Sequence, residues 1–206
     1  KMKNPKISII TVVKNNKSYI EKNILSLLSQ KYKNYEHIII DGGSTDGTLE
    51  IIDKYKKSIS SFVSEKDQGI YYAMNKGIDL ASGDIIGILN SDDYFYDDAL
   101  DIVKSYFEKN QEIDFLFGSV HKFFIRHGFY PSKIHWTFNF YTTHSVGFFI
   151  KKTSQKKLGY YNTNLDICSD YDFFFKLFNK KNIYGSHTKK KEVIGFFRPG
   201  GLSEKI

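Results

Sequence analysis

Hydrophobic and polar positions change rhythm several times along this chain. Ile7-Ser8-Ile9-Ile10-Thr11-Val12-Val13 is a nearly unbroken β-branched run, the pattern of a strand buried on both faces. After it, Ile20, Ile24, Leu27 and Leu28 recur at helical spacing, and Ser18 and Glu21 stand at the separation of a capping box. Tyr35 to Asp41 predicts a second strand centred on Ile38-Ile39-Ile40. Gly42 to Gly47 predicts a tight turn, with Thr45 or Asp46 capping a helix that carries Leu49, Ile52 and Tyr55. Ser61 to Ser64 reads as a short third strand, and Ile70, Ala73, Met74, Gly77 and Ile78 as another helical stripe. Asp84 to Asn90 predicts a fourth strand running into Ser91-Asp92-Asp93, and Asp97 to Lys109 a helix with acid in its first turn.

Four alternations of strand and helix in residues 1–110 argue for a mainly parallel sheet joined by right-handed crossovers. The pattern then changes. Ile113 to Phe124 and Ser145 to Ile150 read as strands, and a helix carrying Phe173, Phe174, Leu177 and Phe178 follows Ser169. Val193 to Phe197 reads as a last strand before Arg198-Pro199-Gly200-Gly201. No linker marks a boundary, so one α/β domain over residues 1–206 is expected, with residues 111–206 finishing the same sheet and walling one side of a site.

Composition adds bounds. The 206 residues, 41% of them hydrophobic, suffice for one sizeable core. Cys168 is the single cysteine, which excludes a disulfide within the chain and leaves a cysteine-based zinc site without ligands. No run approaches the roughly 18 apolar residues of a membrane span, and residues 1–17 lack a signal-peptide pattern. A cytoplasmic place of work, with the inner face of the membrane as an alternative, is expected. The net charge of +7 suits a phosphate-bearing partner, an anionic membrane surface, or plain solubility. Aromatic residues reach 17% and gather after residue 94; Trp136 and Phe138 to Tyr141 suit stacking on sugars as well as core packing. The Lys189-Lys190-Lys191 run suits a solvated loop or contact with anionic headgroups.

Ligands of open α/β sheets sit outside the carboxyl ends of the strands. There this chain places Thr11, Asp41 and Asn90-Ser91-Asp92-Asp93. Turn preference accounts for any one of them; the three together point to a site. Neither a dinucleotide GxGxxG nor a P-loop is present, so a bound diphosphate would need a divalent cation on carboxylates. Asp92 and Asp93 suit Mg²⁺ or Mn²⁺, which prefer oxygen ligands.

Five segments in order complete a pattern: Ile7 to Thr11; Ile40-Asp41-Gly42-Gly43-Ser44-Thr45-Asp46-Gly47-Thr48; Ser64-Glu65-Lys66-Asp67-Gln68-Gly69-Ile70-Tyr71; Ala73-Met74-Asn75-Lys76-Gly77; and Gly83-Asp84 through Leu89-Asn90-Ser91-Asp92-Asp93. The chain so resembles the inverting glycosyltransferases of family 2. A looser likeness continues at His144, Leu158-Gly159, Ser169-Asp170-Tyr171-Asp172 and Phe197 to Ser203. The resemblance implies a single GT-A (Rossmann-like) domain, with residues 1–110 binding the nucleotide-sugar and 111–206 serving acceptor and base. It implies a sugar passing from a nucleotide-diphosphate donor, with UDP the first expectation, to a hydroxyl of a glycan or lipid-linked acceptor of a bacterial surface polysaccharide. By the same resemblance Thr11, Asp41, Asp67, Asn75, Lys76, Asn90 and Ser91 would line the nucleotide-sugar pocket. Asp92 and Asp93 would hold the Mn²⁺ or Mg²⁺ of a DxD motif. Asp170 would be the general base with Asp172 as fallback, and His144 and Arg198 would lie near diphosphate or acceptor.

The chain departs from the family pattern in three places: Asn90 replaces the first DxD acid, Ser169 the acid before the base, and Tyr72 a frequent Asp. Without the resemblance, Asp170 reads first as a helix N-cap and only second as a base. Rival readings are a nucleotidyltransferase on a related fold, which would need a glycine-rich signature after strand one that Val12 to Asn16 lacks, and an inactive nucleotide-sugar binder. Nucleic acid is not an expected partner, because acids in the cleft would repel its backbone.

Overall fold

The computed structural model describes residues 2–129 and 145–200. Its main sheet has seven strands in the order β10-β6-β9-β4-β1-β2-β3. These are β1 (Ile7–Val13), β2 (Tyr35–Asp41), β3 (Ser61–Ser64), β4 (Ile85–Ile88), β6 (Phe115–Phe117), β9 (Phe148–Lys151) and β10 (Gly185–His187). β9 is antiparallel to both neighbours, and the remaining pairs are parallel, giving the expected mainly parallel mixed sheet.

Strand parity assigns the helices to faces. Ile10, Val12, Ile38, Ile40, Ile86 and Ile88 face α3 (Ile70–Leu80), which packs with Ala73, Met74 and Ile78. Gly77 allows that approach, because a Cβ there would run into the Ile10 side chain. On the same face α6 (Ser169–Asn179) lays Phe173, Phe174 and Leu177 over Phe115, Phe117 and Phe148. The alternate residues of β1 point the other way. Val13 meets α1 (Ile20–Leu28) and α2 (Thr48–Lys54) through Ile24 and Ile52, and Ile7 and Ile9 meet α4 (Ala99–Lys109) through Leu100, Val103 and Phe107. A short α5 (Lys152–Leu158) follows β9.

The second half departs from expectation. The predicted strand Ile113 to Phe124 is two short strands in different sheets. After β6 the chain turns at Gly118, where a Cβ would strike Ile194, and enters β7 (Ser119–His121). With β5 (Tyr94–Phe95), β8 (Ile125–Arg126) and β11 (Val193–Phe196), β7 builds a second sheet in the order β5-β11-β7-β8. This half therefore only partly finishes the first sheet. The Ser18–Glu21 capping box does not form: the residue before α1 is Tyr19, with no side-chain cap, and Glu21 instead accepts from the Tyr55 hydroxyl at 2.9 Å. At α2, Asp46 does supply an acceptor, with Oδ1 3.0 Å from Thr48 N, although Gly47 occupies the left-handed cap position. Asp170 does not cap α6; Cys168 stands at the cap and Asp170 is the second residue of the helix.

At the amino end of the strands, Glu36 closes the sheet. Its carboxylate accepts from Ser8 Oγ at 2.5 Å, Ser82 N at 2.6 Å and Gly83 N at 3.2 Å, and pairs with Lys6 at 2.7 Å. Burial pushes this acid upward, but the bonds from Lys6, Ser8 and Ser82 outweigh it and hold the pKa at about 2.

Candidate active site

The parallel order brings the carboxyl ends of β1 to β4 to one edge, where the loops that leave them are tied together. Asn15 N donates to Ser44 Oγ at 2.8 Å, and Asn15 Oδ1 accepts from Thr45 N at 2.8 Å. Asn16 N donates to Thr48 Oγ1 at 2.9 Å, while Asn16 Nδ2 reaches Ser91 Oγ at 2.7 Å. The loop after β1 thereby joins the loop after β2 to the acidic turn after β4.

A buried relay supports that turn from below. Asn23, on α1 and fully buried, donates from Nδ2 to the carbonyls of Asn90 at 2.8 Å and Asp93 at 3.0 Å. Its Oδ1 lies 3.2 Å from Thr11 Oγ1, which in turn is 2.9 Å from His37 Nε2. Burial lowers the pKa of His37 to about 3, so the ring is neutral; with the Thr11 hydroxyl donating to Asn23, the His37 Nε2–H tautomer donates to Thr11 Oγ1. Sequence reasoning missed Asn23 and His37. A signal was present, since Asn23 falls on the same helical stripe as Ile20 and Leu27.

Above the turn lies a cavity of about 340 Å³ lined by Tyr19, Lys22, Asp92, Asp93, Tyr94, Phe196, Arg198 and Pro199. The Arg198 guanidinium stacks 3.8 Å from the centre of the Tyr19 ring and reaches to 3.8 Å from Asp92 Oδ2. Burial raises the pKa of Asp92, and the Arg198 charge opposes that rise. Asp93 is 1% exposed, and its Oδ1 accepts from Arg198 N at 2.9 Å. Burial, with the charge of Asp92 second, lifts the Asp93 pKa well above its ordinary value. Lys22 and Tyr94 also border a larger groove of about 850 Å³ beside Tyr96, Asp97 and Glu192.

Across the sheet edge, Asp170 stands at the amino end of α6 beside the first turn of α3. Ser169 N donates to the Tyr71 hydroxyl at 3.1 Å. Burial raises the Asp170 pKa, against hydrogen bonds from its backbone neighbours and the Tyr71 hydroxyl. Burial, with the Asp170 charge second, pushes the Tyr71 phenol up to about 12, so it remains a donor.

The sequence matches the family described as Glycosyl transferase family 2 over residues 8–182. The chain belongs to that family. A Haemophilus influenzae protein described as an uncharacterized glycosyltransferase is 43% identical over 103 residues, 48% of this chain and 41% of that protein. A Mycobacterium bovis PGL/p-HBAD biosynthesis glycosyltransferase is 28% identical over 210 positions, covering 98% of this chain and 80% of the relative. Among solved structures, S. aureus TarS 1-349 in complex with UDP-GlcNAc superposes with a TM-score of 0.75 at 21% identity, over 95% of this chain and 59% of that one. The Pyrobaculum calidifontis mannosyltransferase PcManGT, in complex with GDP-Man and Mn²⁺, gives 0.69 at 19% identity, over 94% and 56%. The fold is thus that of the GT-A glycosyltransferases. The chain spans less than half of the Haemophilus relative and about three fifths of TarS 1-349.

Within this family 2 chain the expected site residues divide. Asn90, Ser91, Asp92, Asp93 and Arg198 come together around one turn and cavity. Thr11 does not join them: parity turns it to the α1 face, fully buried, where it supports the turn through Asn23 and offers a ligand no exposed hydroxyl. Asp41 has no exposed surface either. Its Oδ2 accepts from Gly43 N, Ser44 N and Ser64 Oγ at 2.9, 3.0 and 2.7 Å, and its Oδ1 from Ser44 Oγ at 2.5 Å. It shapes the loop after β2, over which Asp67 sits; a Cβ on Gly42 would lie 2.6 Å from Asp67 Oδ2. Asn75 exchanges two hydrogen bonds of 2.9 Å with the main chain of Tyr161, and Lys76 pairs with Glu65. Asp172, the fallback base, pairs with Lys176 one turn on at 2.6 Å. His144, Trp136 and Phe138 to Tyr141 lie outside the described residues.

The metal question turns on this set. Among the described residues no three His, Cys, Asp or Glu side chains cluster as a complete cage. Yet Asn90 Oδ1 and Asp93 Oδ2 are buried without a hydrogen-bond partner, next to the half-buried Asp92. Unclaimed oxygens beside a carboxylate fit a cation that takes one or two protein ligands and completes its shell with phosphate oxygens and water.

Proposed function

We propose that this chain is the donor-binding and catalytic domain of an inverting glycosyltransferase that moves a sugar from a nucleotide-diphosphate donor, with UDP favoured, to a hydroxyl of a glycan or lipid-linked acceptor in surface polysaccharide synthesis. The observation that carries this reading is Asp92 facing Arg198 across the cavity at the end of β4. An acid and an arginine so placed suit a diphosphate with its cation. UDP is favoured because TarS is seen with UDP and UDP-GlcNAc, and a hexose or N-acetylhexosamine is the corresponding sugar class.

Asp92 would hold Mn²⁺ or Mg²⁺, with Asp93 and Asn90 offering the adjoining oxygens. Bound there, the cation supplies Lewis-acid stabilisation of the diphosphate charge. Arg198 adds a fixed positive charge on the same side, stacked on Tyr19 so that little reorganisation is needed. The loop carrying Asp67 and the helix α3 carrying Lys76 would form the nucleotide side. Asp170 takes the proton from the acceptor hydroxyl as it attacks; burial raises its basicity toward the working pH, and the Tyr71 hydroxyl orients it. Attack from the face opposite the leaving group inverts the anomeric centre.

Calorimetric titration of UDP, GDP and dTDP, with and without Mn²⁺, into wild type and Asp92→Ala tests the donor site. One nucleotide should bind, require the metal and lose affinity in the variant. Absence of binding under every condition would remove the reading's main support.

A further inference from the structure

The hairpin of β7 and β8 ends in an apolar tip that nothing in the donor site uses. Phe123 is 72% and Phe124 65% exposed, and Ile125 beside them is 39% exposed. Single exposed apolar residues are ordinary, but three in succession are a patch. Lys122 N donates to Phe124 O at 3.2 Å, closing the turn that thrusts both rings outward. Cations flank the tip: Lys122 Nζ lies 5.7 Å from the Phe123 ring and the Arg126 guanidinium 6.0 Å from the Phe124 ring.

The tip is also fixed relative to the cavity. His121 is in register with Phe196 of β11, and its carbonyl accepts from Phe197 N at 2.8 Å. Lys122 Nζ lies 4.4 Å from the Phe197 ring, and the next residue is Arg198, beside Asp92. The apolar tip and the acidic turn are therefore held through one stretch of β11.

We propose that this hairpin tip docks the domain on an anionic phospholipid bilayer, with Phe123 and Phe124 entering the boundary between headgroups and acyl chains and Lys122 and Arg126 meeting the phosphates. The pairing of adjacent rings with flanking cations on a chain of net charge +7 matches an interface that is apolar within and negative at its surface. Docking in this way turns the neighbourhood of Arg198 toward the membrane, where a lipid-borne hydroxyl would arrive. That last consequence rests on the donor-site reading; the docking does not.

Flotation with vesicles separates the terms. Wild type should float with vesicles of phosphatidylcholine plus phosphatidylglycerol and far less with phosphatidylcholine alone. Phe123→Ser with Phe124→Ser should lose about tenfold or more of the partition, since each ring loses its burial. Lys122→Gln with Arg126→Gln should bind more weakly and with less sensitivity to salt. The serine variant should keep the wild-type melting temperature and nucleotide affinity, which reports the donor site separately. The proposal is overturned if wild type floats with neither vesicle, or if the serine variant floats as well as wild type. It is overturned equally if light scattering shows wild type dimeric and the serine variant monomeric, because the tip is then a contact between copies.

Discussion

Asn23 Nδ2 donates to the main-chain carbonyl of Asp93 at 3.0 Å, from a helix 70 positions earlier in sequence. The same nitrogen holds Asn90 O, so one buried amide sets the shape of the acidic turn. Asn23→Leu, close in size, leaves Asp93 O without its donor and Asn90 O with only the bond from Asp93 N. It should cost about 1–3 kcal/mol in urea unfolding, the range for one orphaned buried group. Metal-dependent nucleotide binding should weaken by more than stability alone accounts for; an unchanged Kd in folded variant would sink the supporting role.

Asp93 links stability to pH. Its folded pKa is raised, so its favourable contribution is complete below the ordinary carboxylate value of about 4 and is lost as pH rises through the folded value. Asp93→Asn keeps an acceptor for Arg198 N but removes this titration. In chelator-treated protein, the variant should gain on wild type between pH 4 and pH 7, read from urea midpoints. A gap that does not change with pH contradicts the buried-acid account.

Glu36 titrates in the opposite sense. Its folded pKa of about 2 lies below the unfolded value of 4.5, so its contribution is present above 4.5 and is lost as pH falls toward 2. Glu36→Gln should flatten the acid limb of thermal stability without altering nucleotide affinity, because the residue sits at the far end of the strands.

For Asp170, Asp170→Asn should lower kcat by about 10²–10⁴-fold while the donor Kd stays near wild type. The activity of wild type should rise with pH along a limb set by this acid, displaced upward from the usual carboxylate range. Tyr71→Phe removes a hydrogen bond that favours the charged form, so the limb should move to still higher pH. A limb that stays in place would show that Tyr71 does not tune the base.

Arg198 stacks on Tyr19 and approaches Asp92, and a planar guanidinium does both at once. Arg198→Lys should therefore weaken nucleotide-diphosphate binding nearly as much as Arg198→Gln, by about tenfold, in titrations with Mn²⁺. Full recovery by lysine would reduce the role to charge alone.

The first half of the fold was legible because its signals are long and periodic. The β-branched run of β1 and the stripe of α3 each commit many residues to one pattern. The second sheet was hidden because its strands hold only two to four residues each, and because the turn at Gly118 interrupts what reads as one apolar run. Asn90 to Asp93 were legible as a candidate cluster since polar residues at strand ends stand out, whereas Arg198 was expected near them only through the family resemblance. Thr11 lies on the face away from the one expected because position along a strand says less than parity: counting from Ile10 and Val12 on one face puts Thr11 on the other. Asn23 and His37 went unseen because a polar residue on an apolar stripe declares itself only when its partners are known.

The clamp between Asp93 and Arg198 also orders events during synthesis. Residues 90–93 leave the ribosome early, yet their support from above arrives about a hundred residues later, with β11 and Arg198. A nascent chain can lay down β1 to β4 and α1 to α3 from local contacts, but its acidic turn stays half-built until nearly all of the described chain has emerged. On the proposed donor-site reading, competence to grip a donor is withheld until Arg198 has emerged, and a product ending before it would carry the acidic turn without this support.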